Sequence, residues 1–365
     1  MNTTASLRWF RPAQLTALGF LLLILAGTAL LTLPLASADG RATPVTDALF
    51  TATSATSLTG LVTVDTGSHW NIFGQVIVLV LIQVGGLGIM SITSLTGMLL
   101  TGRVNLRSRY STAAEGRPIL ESGVRATLLA TLQLTLAFEA AVAVMLFARF
   151  LVTYDMPVAR AAWEGVFHAV SAFNNAGFGL RSDSLISYNT DGWILLPLAG
   201  ALMIGGLGYP VLSELVARLR ERIRGMVHAT PVSSRRLSVT TRITLWGTAF
   251  LVVTAMLLIA PLEWRGFLAG MPLGAKLLNA FFSGVTPRTA GFNSIDYADA
   301  NPITLMVTDL YMFIGGGSAG TAGGIKLTTA IVLLAAMAAE FRSRDDTTVG
   351  HRTVPKTVVR QAMTV

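Results

Sequence analysis

Ser57-Leu58-Thr59-Gly60-Leu61 recurs in this chain as Asn174-Asn175-Ala176-Gly177-Phe178 and again as Arg288-Thr289-Ala290-Gly291-Phe292. The three glycines are 117 and 114 residues apart. Each copy follows a short amphipathic stretch and precedes a long apolar one. A glycine-bearing loop repeated at a near-fixed interval in a hydrophobic chain suggests backbone carbonyls arranged around one axis, which is how a cation filter is built. A fourth copy at the same interval would fall near position ~405, and the sequence reaches Val365.

The surrounding composition agrees. The chain is 52% hydrophobic and 13% charged, against about 25% charged residues in a soluble domain, so it is read as a membrane protein. It has no cysteine and hence no disulfide framework or thiolate metal site. Its four histidines, His69, His168, His228 and His351, are too scattered for a ligand spacing. The net charge of +8 comes from arginine, lysine occurring only at 276, 326 and 356. The arginines cluster between apolar stretches: 103, 107, 109 and 117; 218, 220, 222, 224, 235, 236 and 242; 342, 344, 352 and 360. That distribution is the positive-inside pattern and argues against nucleic acid as a partner.

Six apolar spans are expected at about 15–36, 71–100, 124–152, 192–216, 241–262 and 303–338, each able to cross a ~30 Å hydrocarbon core. The first is followed by Ala36-Ser37-Ala38, a cleavage look-alike, but exceeds a signal h-region of about 7–15 residues and is read as a transmembrane helix with Arg8 and Arg11 inside. Between the spans of each pair lies a shorter segment, at 44–58, 159–175 and 274–287, that ends at the glycine element like a re-entrant half-helix. Two spans per unit return the chain to its starting side, so the arginine-rich linkers share one side and the glycine loops face the other. Asp65, Asp183, Asp191, Asp296 and Asp299 follow the loops there and read either as a mildly acidic mouth or as ordinary loop carboxylates.

A second repeat lies deeper. Gly85-Gly86-Leu87-Gly88, Gly205-Gly206-Leu207-Gly208 and Gly315-Gly316-Gly317-Ser318 begin 25, 28 and 24 residues after their loop glycines. The first two are read as close helix packing. The third continues as Ala319-Gly320-Thr321-Ala322-Gly323-Gly324-Ile325-Lys326, and at about 1 kcal/mol per glycine it should break its helix inside the membrane. Broken backbone at that depth lines a cavity, and flexible backbone in a pore is a natural gate. The run is not a phosphate loop, because Ile325 precedes the lysine and Leu327 follows it. Lys326 is the one lysine inside an apolar span and reads as functional or as snorkelling to the interface.

The filter chemistry follows from the residue types. A dehydrated cation needs several oxygen ligands, and carbonyls supply them without net charge, so the ion can also leave. Glycine allows the positive φ that turns a carbonyl inward. The candidate filter residues are Thr59, Gly60, Asn175, Ala176, Gly177, Thr289, Ala290 and Gly291. The candidate gate comprises Gly315, Gly316, Gly317, Ser318, Gly320, Gly323, Gly324 and Lys326. Arg288 is expected to anchor its loop outside the ion path. No Ser/His/Asp set or paired catalytic carboxylates occur in the apolar region, which leaves a membrane-embedded enzyme as a minor alternative.

At these residues the chain resembles the KtrB/TrkH/HKT superfamily of potassium transporters, and KtrB most. The resembling segments are 53–67, 171–178, 286–293 and the glycine-rich 315–329, and the likeness covers nearly the whole chain. It implies an all-α polytopic membrane protein of helix–pore helix–helix repeats around a pseudo-fourfold pore, with three of four repeats present. The corresponding division is 1–14 as a cytoplasmic N-terminus, 15–102, 103–222 and 223–342 as repeats, and 343–365 as the cytoplasmic start of a fourth. Residues 352–365 resemble the approach to that repeat, so the sequence reads as the first three quarters of a longer protein, or else as a chain that borrows a wall from a partner. A non-conducting fragment is the alternative. The resemblance further implies uptake of K+ across the plasma membrane, sometimes dependent on Na+, with no covalently bound cofactor. A homodimer on a cytosolic nucleotide-binding ring is implied too, with the N-terminus cytoplasmic and the filters facing outside. The arginine-rich linkers would face that ring or anionic lipid.

Overall fold

A computed structural model describes residues 12–101, 119–228, 237–288, 290–344, 346–349 and 352–364. They fall into two compact units divided between Ser187 and Tyr188, a boundary inside the segment read from sequence as the second repeat.

In the first unit, α1 (Pro12–Leu31) is followed by a short helix, α2 (Val45–Ser57), then α3 (Ile72–Thr101), α4 (Ile119–Thr153) and another short helix, α5 (Val158–Phe173). Helix α1 packs on α2 and α3, and α4 runs along α5. Leu31, Ala48, Ala52, Val78, Leu81, Ile82, Phe167 and Phe178 form the buried core. Outward on α1, Leu18, Leu21, Leu22 and Leu25 are exposed. Such a leucine-coated helix is at home in lipid, where its backbone groups are satisfied internally.

In the second unit, α6 (Gly192–Leu207) and α7 (Tyr209–His228) are followed by α8 (Val239–Glu263), α9 (Leu273–Val285), α10 (Pro302–Phe313) and α11 (Leu327–Phe341). A two-residue hairpin, β1 (Thr348–Val349) with β2 (Arg352–Thr353), and α12 (Lys356–Met363) complete it. Helix α8 packs on α9, α10 and α11, with Trp246, Phe250, Val253 and Leu257 exposed along its outer side.

The three short helices share one way of starting. Pro44, Pro157 and Pro272 occupy their N-cap positions with extended backbone. Proline lacks an N–H and fixes φ, so it suits the entrance to a helix. At 13, 16 and 13 residues and about 1.5 Å per residue, none spans a ~30 Å core.

Two of the six expected spans are not single helices. The stretch at 303–338 stops at Phe313 and restarts at Leu327, as its glycines foretell. The stretch at 192–216 is read from sequence as continuous, but the chain turns by 110° between α6 and α7. Gly208 makes the turn with φ +88°. Among the described residues, three helices are long and apolar enough to cross a membrane unaided: Ile72–Met90, Leu128–Thr153 and Val239–Glu263.

Candidate functional site

The first two glycine loops are built alike. Helix α2 ends as Leu58 enters the left-handed region at φ 60°, and α5 ends similarly at Asn175, φ 54°. Leu58 N–H donates to Ala55 O at 3.4 Å and Thr59 N–H to Ser54 O at 2.9 Å. The equivalent bonds in the second loop are Asn175 N–H to Ala172 O at 3.0 Å and Ala176 N–H to Ser171 O at 2.8 Å. These close the last helical carbonyls and turn the chain out of the helix. Gly60 and Gly177 then follow at φ 78° and 73°. Leu58 escaped the sequence reading, since a leucine at positive φ is an outlier no local pattern announces.

The two loops meet. A Cβ on Gly60 would lie 2.5 Å from the Ala176 carbonyl oxygen and 3.4 Å from the Gly177 Cα. Gly67, in the single helical turn Thr66–His69, abuts the Leu180 carbonyl more closely still. Glycine is required where two backbones run this near each other. Thr59, Gly60, Asn175, Ala176 and Gly177 are thereby gathered in one place.

Behind them lies a polar support absent from the sequence reading. Asn174 Nδ2 donates to Glu139 Oε1 at 3.0 Å and to Gln83 Oε1 at 3.1 Å, and Gln83 Nε2 donates to Glu139 Oε2 at 3.2 Å. Glu139 comes from α4, Gln83 from α3, and Asn174 sits at the start of the second loop. Asn174 and Glu139 are buried. The available signal was a lone carboxylate inside an apolar span, which is rarely without a role. Gly85 and Gly86 of α3 fit here too, a Cβ on them striking the Thr56 carbonyl and the Asn174 side chain. Close packing, the expected role of that motif, is what they provide.

The third loop belongs to the second unit. Gly291 has φ 73°, matching its two counterparts. Ala290 N–H donates to Thr286 O at 3.0 Å, and Ala290 is buried. Thr289 lies outside the described residues. Arg288 is 4% exposed, folded into the protein beside its loop. Phe178 and Phe292, which follow the second and third glycines, are buried anchors, whereas Leu61 after the first is exposed.

The acidic residues after the loops work locally. Asp65 caps the turn at 66–69 by accepting from Ser68 N–H at 2.7 Å. Asp191 caps α6 through Trp193 N–H at 2.9 Å, and Asp296 accepts from Ala298 N–H at 2.9 Å. Asp183 faces Arg181 at 3.3 Å and accepts from the Ser187 hydroxyl and amide. Burial would raise the Asp183 carboxyl, but the Ser187 and Arg181 contacts outweigh it and hold it below the ordinary carboxylate range. These contacts give each of the four a local structural role and leave both readings above open.

The broken span carries the other candidate residues. Between α10 and α11 the chain folds into a compact loop at 314–326. Ile325 N–H donates to Phe313 O at 3.1 Å and Gly315 N–H to Ile325 O at 3.0 Å. Lys326 does not run outward; its ammonium turns back to the Ala322 and Gly320 carbonyls. Ser318 Oγ and Thr328 Oγ1 are 2.7 Å apart.

This loop is seated on the bend at Gly208. In a straight helix the amides of residues 209 and 210 would bond the carbonyls of 205 and 206. Pro210 has no amide to give. Instead Gly317 N–H donates to Gly206 O at 2.7 Å and Thr321 N–H to Gly205 O at 3.2 Å, while Tyr209 N–H donates to Ala319 O at 3.3 Å. The groups released by the break are thus satisfied by the loop. Gly205 and Gly206 are therefore part of the loop's seat, a role beyond the helix packing expected of them. A Cβ on Gly316 or Gly320 would come within 2.3 or 2.5 Å of the Gly206 carbonyl oxygen.

This geometry has a match among known proteins. The pattern of the TrkH family, described as cation transport protein, matches residues 14–365. The chain belongs to the TrkH family. Within that family it is 37% identical over 366 residues to Ktr system potassium uptake protein B of Bacillus subtilis, covering 98% of this chain and 78% of that one. It is 36% identical over 356 residues to potassium/sodium uptake protein NtpJ of Enterococcus hirae, covering 97% and 75%. The crystal structure of the potassium transporter TrkH from Vibrio parahaemolyticus superposes with a TM-score of 0.68 at 21% identity, over 95% of this chain and 68% of that one. The fold is therefore that of TrkH. TrkH proteins are transporters, so the enzyme alternative is set aside. Among the described residues no cluster of metal-binding side chains occurs.

Proposed function

We propose that this TrkH-family chain takes up potassium across a membrane through a filter lined by backbone oxygens of its glycine loops. The observation that carries this reading is the shared backbone state of Gly60, Gly177 and Gly291, at φ 78°, 73° and 73°, each just after a short helix. Positive φ turns carbonyls away from the preceding helix and makes them available to an ion. The Gly60–Ala176 approach adds that two of these loops share one site.

Residues 315–326 act as the gate in this reading, held closed on the bend at Gly208. Sodium accompanies potassium in the name of the Enterococcus relative and is the second ion to test. The arginine-rich linkers lie on the cytoplasmic side, with the N-terminus, and the filter faces outward. A second copy of the chain and a cytosolic nucleotide-binding ring complete the working assembly. The reading divides the chain into repeats at 15–102, 103–222 and 223–342.

The test is rubidium uptake by this chain in a host lacking its own potassium uptake. Uptake that saturates with rubidium, is competed by potassium and is lost in Gly291→Asp supports the filter. Uptake whose ion preference is unchanged in Gly291→Asp overturns it.

A further inference from the structure

Helix α7 does not behave like the other helices of the chain. It leaves an apolar helix at a 110° turn, which takes it away from the axis of α6 and nearly across it. If α6 crosses the membrane, α7 runs close to the membrane plane.

Its sequence suits that position. At 100° per residue, Leu215, Leu219, Ile223 and Met226 share one face. Leu219, Ile223 and Met226 are 57%, 47% and 77% exposed, so the described residues leave this stripe uncovered. Arg222 borders the stripe on one side and Arg220 lies past its other edge, while Arg224 sits further round towards Glu221, all three exposed. Glu214 and Glu221 lie on the opposite face, where Glu214 pairs with Arg218 at 3.8 Å. Apolar centre, basic edges and acidic back make the layout of a helix half-sunk in a headgroup layer. There arginine stems lie along the apolar boundary while their guanidiniums reach phosphates. The carboxylates point away from an anionic surface, as charge complementarity requires.

We propose that α7 is an interfacial helix that docks on anionic phospholipid, and that lipid contact sets the position of the loop at 314–326. The link is short: a hydrogen bond and a close backbone approach. Tyr209, the first residue of α7, donates its amide to Ala319 of that loop, and a Cβ on Gly208 would lie 2.4 Å from the Ser318 carbonyl oxygen. Any tilt of α7 at the surface moves the loop's seat. The lipid contact stands on the helix alone, while its effect on transport rests on the gate reading above.

The absence of cysteine makes the test clean. Ile223→Cys and Glu221→Cys are each labelled with a polarity-sensitive fluorophore. The full chain is then reconstituted in phosphatidylcholine alone or in an equal mixture with phosphatidylglycerol, with and without doxyl-labelled lipid. The expected result is a blue-shifted, doxyl-quenched label at 223, quenched several-fold more with phosphatidylglycerol, and an aqueous label at 221 in both. Replacing Arg220, Arg222 and Arg224 by Gln should abolish the phosphatidylglycerol effect, each arginine near an anionic surface strengthening binding about fivefold. A label at 223 that stays aqueous overturns the proposal. So does one shielded only when a cytosolic protein is added, or a phosphatidylglycerol effect unchanged in the triple variant. Rubidium flux in the same vesicles reads the second half. Flux that depends on phosphatidylglycerol in the unsubstituted chain but not in the triple variant supports coupling. A buried label with lipid-independent flux overturns the coupling and leaves the lipid contact standing.

Discussion

Gly60 and Ala176 meet backbone to backbone, with room for a hydrogen but not a methyl between the Gly60 Cα and the Ala176 carbonyl oxygen. The contact joins the first glycine loop to the second across 116 residues of sequence. Gly60→Ala would bring a Cβ to 2.5 Å from that oxygen, at a φ of 78°. The left-handed backbone alone costs an L-residue about 1–2 kcal/mol, and the clash adds to it. The expected outcome is a loss of rubidium uptake of more than tenfold with protein still present in the membrane. Uptake within twofold of the unsubstituted chain would show that the two loops do not form one site.

The Asn174–Glu139–Gln83 cluster holds the second loop from behind. Asn174→Ala removes the amide that bonds both partners and leaves a buried carboxyl short of a donor, at a cost of about 1–3 kcal/mol. Glu139→Gln keeps the shape and most of the bonding. Asn174→Ala should therefore lower the thermal unfolding midpoint in detergent and weaken discrimination between potassium and sodium, and Glu139→Gln should do less of both. Equal effects from the two substitutions would argue that the network has no role in placing the loop.

The seat of the loop at 314–326 gives a prediction of opposite sign. Gly320→Ala puts a methyl within 2.5 Å of the Gly206 carbonyl oxygen and so pushes the loop off α6. In the gate reading, rubidium flux should rise at least severalfold while half-saturation stays put, because the glycine loops themselves are unaltered. A fall in flux with a shifted half-saturation would relocate the loop's role from gating to ion binding.

Asp183 supplies a pH dependence outside the spans. Its carboxyl is held below the ordinary value, since the Ser187 and Arg181 contacts overcome the opposing effect of burial. A depressed folded pKa stabilises the fold above the unfolded value of about 4, and that stabilisation disappears as pH falls through the lower folded value. Ser187→Ala should thus lower the unfolding midpoint at pH 7, with the difference from the unsubstituted chain closing on acidification below about pH 4. A difference that grows on acidification would mean that Asp183 is not stabilised as its charged form.

Some of this was legible in the sequence for a physical reason. Positive φ next to a backbone contact demands glycine, so Gly60, Gly177 and Gly291 announced themselves. Six glycines in ten residues cannot stay helical, so the break after Phe313 was readable as well. The bend at Gly208 was not. Gly-Gly-Leu-Gly occurs at 85–88 inside one unbroken helix, Ile72–Thr101, and at 205–208 where the helix turns away. The motif is identical; the difference is Pro210, which removes the amide that Gly206 would need. The role of Glu139 is not legible in the same way, because its partners, Gln83 and Asn174, are 56 and 35 residues away. Only the packed helices bring them together.

Pro210 also constrains how the loop can leave. While the loop is docked, the carbonyls of Gly205 and Gly206 and the amide of Tyr209 are bonded to it. Once it departs, straightening the helix could re-pair Tyr209 with Gly205, but nothing in the helix can reach Gly206. A stranded buried carbonyl costs about 1–3 kcal/mol, and water is the one partner small enough to follow. In the gate reading, opening would then be a hydration event as much as a movement of the chain, and its equilibrium should answer to osmotic stress: solutes that draw water out would favour the docked form.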